Sequence, residues 1–187
     1  PRAPYYYSIY EHAAALNHFV THVAMLTSFQ IVTHDMGSSV GFAFLEKFVN
    51  VGTRLATPSF NVTHHTITNG NVWLPLSSLT FFQLALLDNT TGWAMEQGMT
   101  SNGYANAVGR LYRPSLTGTS KADALGTTIA YQDGMRASND VNQYLQQRAC
   151  YENNWMAALN ESSVPATLVW GEEDPVCTTA VSDYVWS

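Results

Sequence analysis

Apolar residues recur along the first third of the chain in two rhythms. Ile9, Ala13, Leu16, Val20 and Val23 fall at three- and four-residue steps, one apolar stripe on a helix until Thr27-Ser28 breaks the pattern. Ser8 and Glu11 have capping-box spacing: the hydroxyl accepts from a first-turn N–H and the carboxylate reaches back, so a helix is predicted to start there. Phe29-Gln30-Ile31-Val32 then reads as a short, buried strand of a parallel sheet. Val40, Ala43, Phe44 and Phe48 are spaced to cover one face of a following helix. Between strand and helix stands Thr33-His34-Asp35-Met36-Gly37-Ser38, with an acidic residue at the break. A strand, sharp turn and helix form an elbow, which lifts its central side chain above the sheet and aims the next backbone N–H at the same point. Small residues are expected around such a turn, and Gly37 and Ser38 supply them.

Beyond Asn50-Val51-Gly52 a polar stretch leads to His64-His65-Thr66-Ile67-Thr68, a second predicted strand closed by the turn Asn69-Gly70-Asn71. From Trp73 to about Leu159 the texture is helical and aromatic-rich, punctuated by Gly92, Gly98, Gly103, Gly109, Pro114 and Gly118, as expected of an inserted helical cap. Its last helix is the clearest: Asp140 is placed to cap it, and Val141, Leu145, Arg148, Glu152, Trp155 and Leu159 follow at helical steps. Val164 to Gly171 reads as a third buried parallel strand. It ends in the loop Glu172-Glu173-Asp174-Pro175-Val176, on the sheet edge where ligand chemistry gathers in open α/β sheets. The predicted class is therefore α/β, mostly parallel, with a core over 1–72, a helical cap over 73–160 and a return to the core over 161–187.

Composition narrows the function classes. A chain of 187 residues with 46% hydrophobic content builds one domain with a real core and room for a subdomain. Net charge is −6, with eight Lys and Arg residues and no basic run, so a nucleic-acid partner is not expected. The longest apolar stretches, Ala13–Leu26 and Phe81–Leu87, are broken by polar residues and fall short of the roughly 20 a membrane span needs. A soluble chain follows, with a cytoplasmic location favoured. Cys150 and Cys177 lack disulfide-framework or metal-ligand spacing and are expected to be unpaired thiols. The sequons at Asn61, Asn89 and Asn160 arise readily by chance in a chain so rich in Asn, Ser and Thr. His64-His65 is no metal pair by pattern, because adjacent strand residues point to opposite faces. Neither a metal nor a cofactor is expected.

Three stretches carry a resemblance. Tyr7-Ser8-Ile9-Tyr10-Glu11-His12-Ala13, His34-Asp35-Met36-Gly37 and Trp170-Gly171-Glu172-Glu173-Asp174-Pro175-Val176 resemble, in order, the helix before the nucleophile strand, the elbow and the acid loop of the α/β-hydrolase superfamily. Asn69-Gly70-Asn71-Val72-Trp73-Leu74-Pro75-Leu76 is similar to that family's passage from sheet into cap. Within the superfamily the likeness is to the aspartate-nucleophile branch: haloalkane dehalogenases, epoxide hydrolases and mesoderm-specific-transcript-like proteins. The resemblance implies a partial α/β-hydrolase fold that opens an epoxide or alkyl halide on a small apolar organic substrate. Asp35 would attack a saturated carbon to form an alkyl-enzyme ester, which an activated water then hydrolyses. The Met36 N–H would meet the developing oxyanion, help worth roughly 3 kcal/mol per donor. Asp174 would orient the catalytic His, and Asn69 and Asn71 hold the alternative acid position. All six His residues precede Asp174, whereas the family's base follows its acid. The chain begins near the helix before the elbow, so it is expected to be a piece of a longer enzyme or a truncated, non-catalytic binding relative. Met36 stands where Trp or Tyr is common, which weakens a halide-binding role there and costs epoxide hydrolysis less.

Competing assignments sit nearby. Gly37-Ser38-Ser39-Val40-Gly41 fits the G-x-S-x-G pattern of serine esterases, making Ser39 the rival nucleophile. Seating Ser39 at the elbow would bury the polar run Thr33 to Gly37 as strand, so register favours Asp35. The bland role for Asp35 is a helix N-cap. His34 is expected to pack beside the nucleophile. A cap phenol would donate to an epoxide oxygen, and Tyr112, Tyr131 and Tyr144 are available. Trp73 and Trp93 are candidates for an apolar pocket wall.

Overall fold

A computed structural model describes residues 5–50, 58–109 and 120–187. Helix α1 spans Ile9–His18 and runs on through a π turn at Phe19–Val23; the capping box forms as expected, Ser8 accepting from the Glu11 N–H while Glu11 reaches back. Strand β1 spans Ser28–His34, α2 spans Met36–Phe44 with a π turn over Leu45–Val49, and β2 spans Asn61–Thr68. Helices α3 (Phe81–Leu86), α4 (Asn89–Gln97), α5 (Ser101–Gly109), α6 (Ser120–Ala130) and α7 (Ser138–Asn142) follow. Then come α8 (Tyr144–Glu161), β3 (Ala166–Val169) and α9 (Thr179–Trp186).

The sheet has three parallel strands in the order β1-β2-β3, a mixed α/β arrangement. Register brings Ile31 opposite His65, Thr33 opposite Ile67, and Ile67 opposite Leu168, on the face that α2 covers. The other face carries Gln30, Val32, His34, Thr66, Thr68, Thr167 and Val169. The prediction that β1 and β3 are buried strands is corrected here: both alternate, with Val32 71% and Val169 55% exposed. Alternation marks a sheet covered on one side, as these described elements leave it.

The chain divides into two compact units, residues 1–78 with 146–187, and 79–145. In the first, Ile9, Ala13, Phe42, Ile67, Trp155 and Val181 are fully buried, and Phe44 stacks on Phe60 at 5.6 Å. Burying such side chains contributes roughly 1.5–3 kcal/mol each. The stripe on α8 belongs to this unit from Gln146 onward, where Arg148, Glu152 and Trp155 are buried. Asp140 lies inside α7 instead of capping the long helix, which starts after Gln143. The second unit holds α3 to α7; Thr80 and Gln83 form its capping box, and Phe82 meets Tyr104 edge-on at 6.1 Å.

Candidate functional site

Asp35 sits between β1 and α2 with φ 48° and ψ −121°, a conformation that costs a non-glycine residue roughly 1–3 kcal/mol. Asp35 occupies the N-cap position, yet its carboxylate makes no capping bond; the main-chain carbonyl accepts from the Ser38 N–H at 3.0 Å. The ordinary cap role is therefore not the one it plays. Its side chain is 61% exposed. Met36 opens α2, half-buried, so its N–H belongs to the first-turn set that has no intrahelical acceptor.

Glycine is required around this turn at positions other than the one expected. A Cβ on Gly37 would meet nothing within 4 Å, whereas one on Gly70 would collide with the Ser38 side chain. A Cβ on Gly41 would lie 2.7 Å from Thr33 Cγ2 and 3.1 Å from His65 Nε2. These two glycines let α2 settle against the strand ends.

Asn69 ties the turn at Asp35 to the loop at Asp174. Its carbonyl accepts from the Asp35 N–H at 3.1 Å, and its Nδ2 donates to Asp174 Oδ2 at 2.8 Å. Its Oδ1 accepts from the Gly171 N–H at 2.7 Å. Asp174 Oδ1 accepts from the N–H groups of Val176 and Cys177 at 2.9 and 2.8 Å, so this carboxylate also organises its own loop. The buried Cys177 thiol is pushed up to about 12, chiefly by burial and then by the charges of Asp174 and Asp35, with Arg148 opposing.

Arg148 is the residue that sequence reasoning passed over. It is fully buried; its Nε donates to Ser39 Oγ at 2.9 Å and its Nη2 reaches Asp35 Oδ1 at 3.5 Å. The available signal was a cation on the buried stripe of α8, where a fully buried charge demands a partner. Ser39, fully buried inside α2 and engaged by Arg148, is not presented as an elbow nucleophile would be. Glu152 lies on the same stripe; it accepts from the Leu74 N–H at 3.0 Å, and burial raises its carboxyl above the usual range.

Trp73 stacks on Tyr184 at 4.4 Å. Tyr144 is half-buried at the start of α8, Tyr131 is 71% exposed, and Tyr112 lies outside the described residues. Trp93 lies on α4. None of the six imidazoles bonds to Asp35 or Asp174 among the described residues. His34, His64 and His65 bond to Thr68, Thr167 and Thr33; His12 bonds to Tyr5; His18 lies against His22. Burial, with His64 adding to it, lowers His65 to about 4. Among the described residues no cluster could hold a metal ion, and no helix is long and apolar enough to cross a membrane. Cys150 and Cys177 are free thiols.

The sequence matches no family model and no solved structure. Over 179 residues it is 28% identical to a Mycobacterium tuberculosis protein named "Putative hydrolase LipZ", covering 95% of this chain and 60% of that protein. It is 26% identical over 183 residues to the mesoderm-specific transcript homolog protein of Bos taurus and 25% identical to that of Homo sapiens. In both cases 92% of this chain and 51% of the relative are covered. The chain thus spans about half to three-fifths of the length of these curated relatives. The matches support a hydrolase-like family at low identity.

Proposed function

We propose that this chain is the elbow-and-cap portion of an α/β-hydrolase whose nucleophile is Asp35. One observation carries the reading: a solvent-open carboxylate on a positive-φ residue, at a strand-to-helix turn, making no cap bond. Backbone strain held at such a point serves to aim a side chain. A carboxylate oxygen attacks a saturated carbon; the new C–O bond forms as the carbon–halogen or epoxide carbon–oxygen bond breaks, the electron pair leaving with halogen or oxygen. The product is an alkyl ester on Asp35. The Met36 N–H faces charge that develops when this ester is cleaved, and Asp174 is the acid that orients a base. The substrate class this reading calls for is a small apolar organic molecule. The weak similarity to a named hydrolase supports hydrolysis in general, and the deep burial of Ser39 favours this reading over a serine esterase.

The test is consumption of a panel of epoxides and haloalkanes by the wild-type chain and by Asp35→Asn, followed by gas chromatography. The reading predicts a burst of about one equivalent per chain that Asp35→Asn abolishes. No consumption by either protein, or labelling of Ser39 by a serine-directed phosphonate, would contradict it.

A further inference from the structure

Arg148 and Asp35 are buried to opposite degrees: the guanidinium side chain is 0% exposed and the carboxylate it touches 61%. Here one partner is walled in while the other stays open to reagents. The contact is also one-sided. Arg148 Nη2 approaches Oδ1 alone, and among the described residues Oδ2 carries no hydrogen bond. Arg148 Nε is fixed by Ser39 Oγ at 2.9 Å, on the helix that starts immediately after Asp35, so guanidinium and elbow share one frame.

We propose that Arg148 is a second working group of this site, which holds Oδ1, leaves Oδ2 as the attacking atom, and meets the negative charge that appears on Oδ1 when the ester is hydrolysed. The proposal rests on the reading of Asp35 as nucleophile. In the first step an Oδ2 lone pair forms the bond to the substrate carbon and the leaving group departs with its bonding pair. Oδ1 is then the ester carbonyl oxygen. Hydroxide adds at Cγ and pushes the Cγ=Oδ1 π pair onto Oδ1, opposite a cation that needs no reorganisation to receive it. Collapse of that adduct returns the pair, expels the product alkoxide and restores the Asp35 carboxylic acid. The alkoxide takes a proton from water. A fixed charge walled off from solvent acts more strongly than an exposed one, because little water screens it.

The test separates ester formation from ester hydrolysis. Wild type, Arg148→Met and Arg148→Lys are incubated with styrene oxide and with 1-bromobutane, and intact mass follows the adduct as it grows and, after reagent removal at pH 8.5, as it decays. Arg148→Met is expected to slow decay at least tenfold while formation changes no more than threefold, with Arg148→Lys recovering part of the decay rate. Should Arg148→Met fail to fold by circular dichroism, Arg148→Lys, which deletes the Nε donor, and Ser39→Ala, which deletes its acceptor, carry the same comparison. Unchanged decay, or equal slowing of both steps, overturns the assignment. A separate arm distinguishes this failure from that of the nucleophile reading: Asp35→Ala is titrated with sodium acetate by calorimetry, with and without Arg148→Met. Acetate held at least tenfold more tightly with Arg148 present supports Arg148 as the group that holds the carboxylate; if the wild-type chain then acquires no ester, it is the nucleophile reading, and with it the hydrolysis role, that fails. Equal binding by the two proteins overturns it.

Discussion

Replacing Asp35 by glycine and by alanine tests whether the elbow conformation exists in solution. Both substitutions remove the carboxylate and its 3.5 Å contact with Arg148 equally, so their difference cancels that loss. At φ 48° and ψ −121° alanine keeps the backbone strain, roughly 1–3 kcal/mol, and glycine sheds it. Glycine in turn costs roughly 0.5–1 kcal/mol more chain entropy on folding. The balance leaves Asp35→Gly the more stable by about 1 kcal/mol, a melting difference of about 2–4 °C for a chain of this size. Urea unfolding with equal m-values for the two variants reads the same difference in free energy. At an ordinary position the sign is reversed, alanine being the more stable. Alanine equal to or better than glycine would therefore refute the strained elbow.

Further outcomes follow from the same packing. Gly41→Ala should lose roughly 1–3 kcal/mol by overpacking against Thr33 Cγ2 at 2.7 Å, and Thr33→Ser, which deletes that methyl, should recover part of the loss in urea titrations of the single and double variants. Folded, His65 takes up its proton only at about pH 4, whereas unfolded it does so near 6.5. The unfolded chain therefore binds the extra proton between those values. The contribution is complete above about pH 6.5 and falls by about 3 kcal/mol as pH drops to about 4. His65→Asn should flatten the pH dependence of stability in that window. Exposed Cys150 should react with a disulfide reagent in the native chain, whereas Cys177, buried and pushed up to about 12, should react only on unfolding.

Features set by neighbours in sequence were legible and those set by neighbours in space were not. The α1 capping box, the strand before Asp35 and the turn after β2 are encoded within a few residues, and the chain adopts them there. An acidic residue at the strand-to-helix break could be picked out because its neighbours on both sides have opposite periodicities. Arg148 and Asn69 could not be assigned so, since their roles arise from pairings 113 and 105 residues apart, with Asp35 and Asp174. The same limit explains the glycines: Gly41 and Gly70 are demanded by side chains of other elements, while Gly37, the one the local pattern favours, faces open space. Burial of β1 was over-read because the run Phe29 to Val32 contains three apolar residues in four, and only the sheet reveals that Val32 points away from the covered face. The break between α7 and α8 was missed because a continuous stripe of spaced apolar residues bridges it.

The measurement closest to the central claim is tandem mass spectrometry of the peptide containing His34 to Ser38, after the wild-type chain has met an epoxide or a haloalkane. A mass gain equal to the whole epoxide, or to the haloalkane less hydrogen halide, located on the Asp35 side chain and missing from Asp35→Asn, is the predicted result. An unmodified Asp35 peptide with every reagent, or a gain that sits on Ser39, would contradict the account.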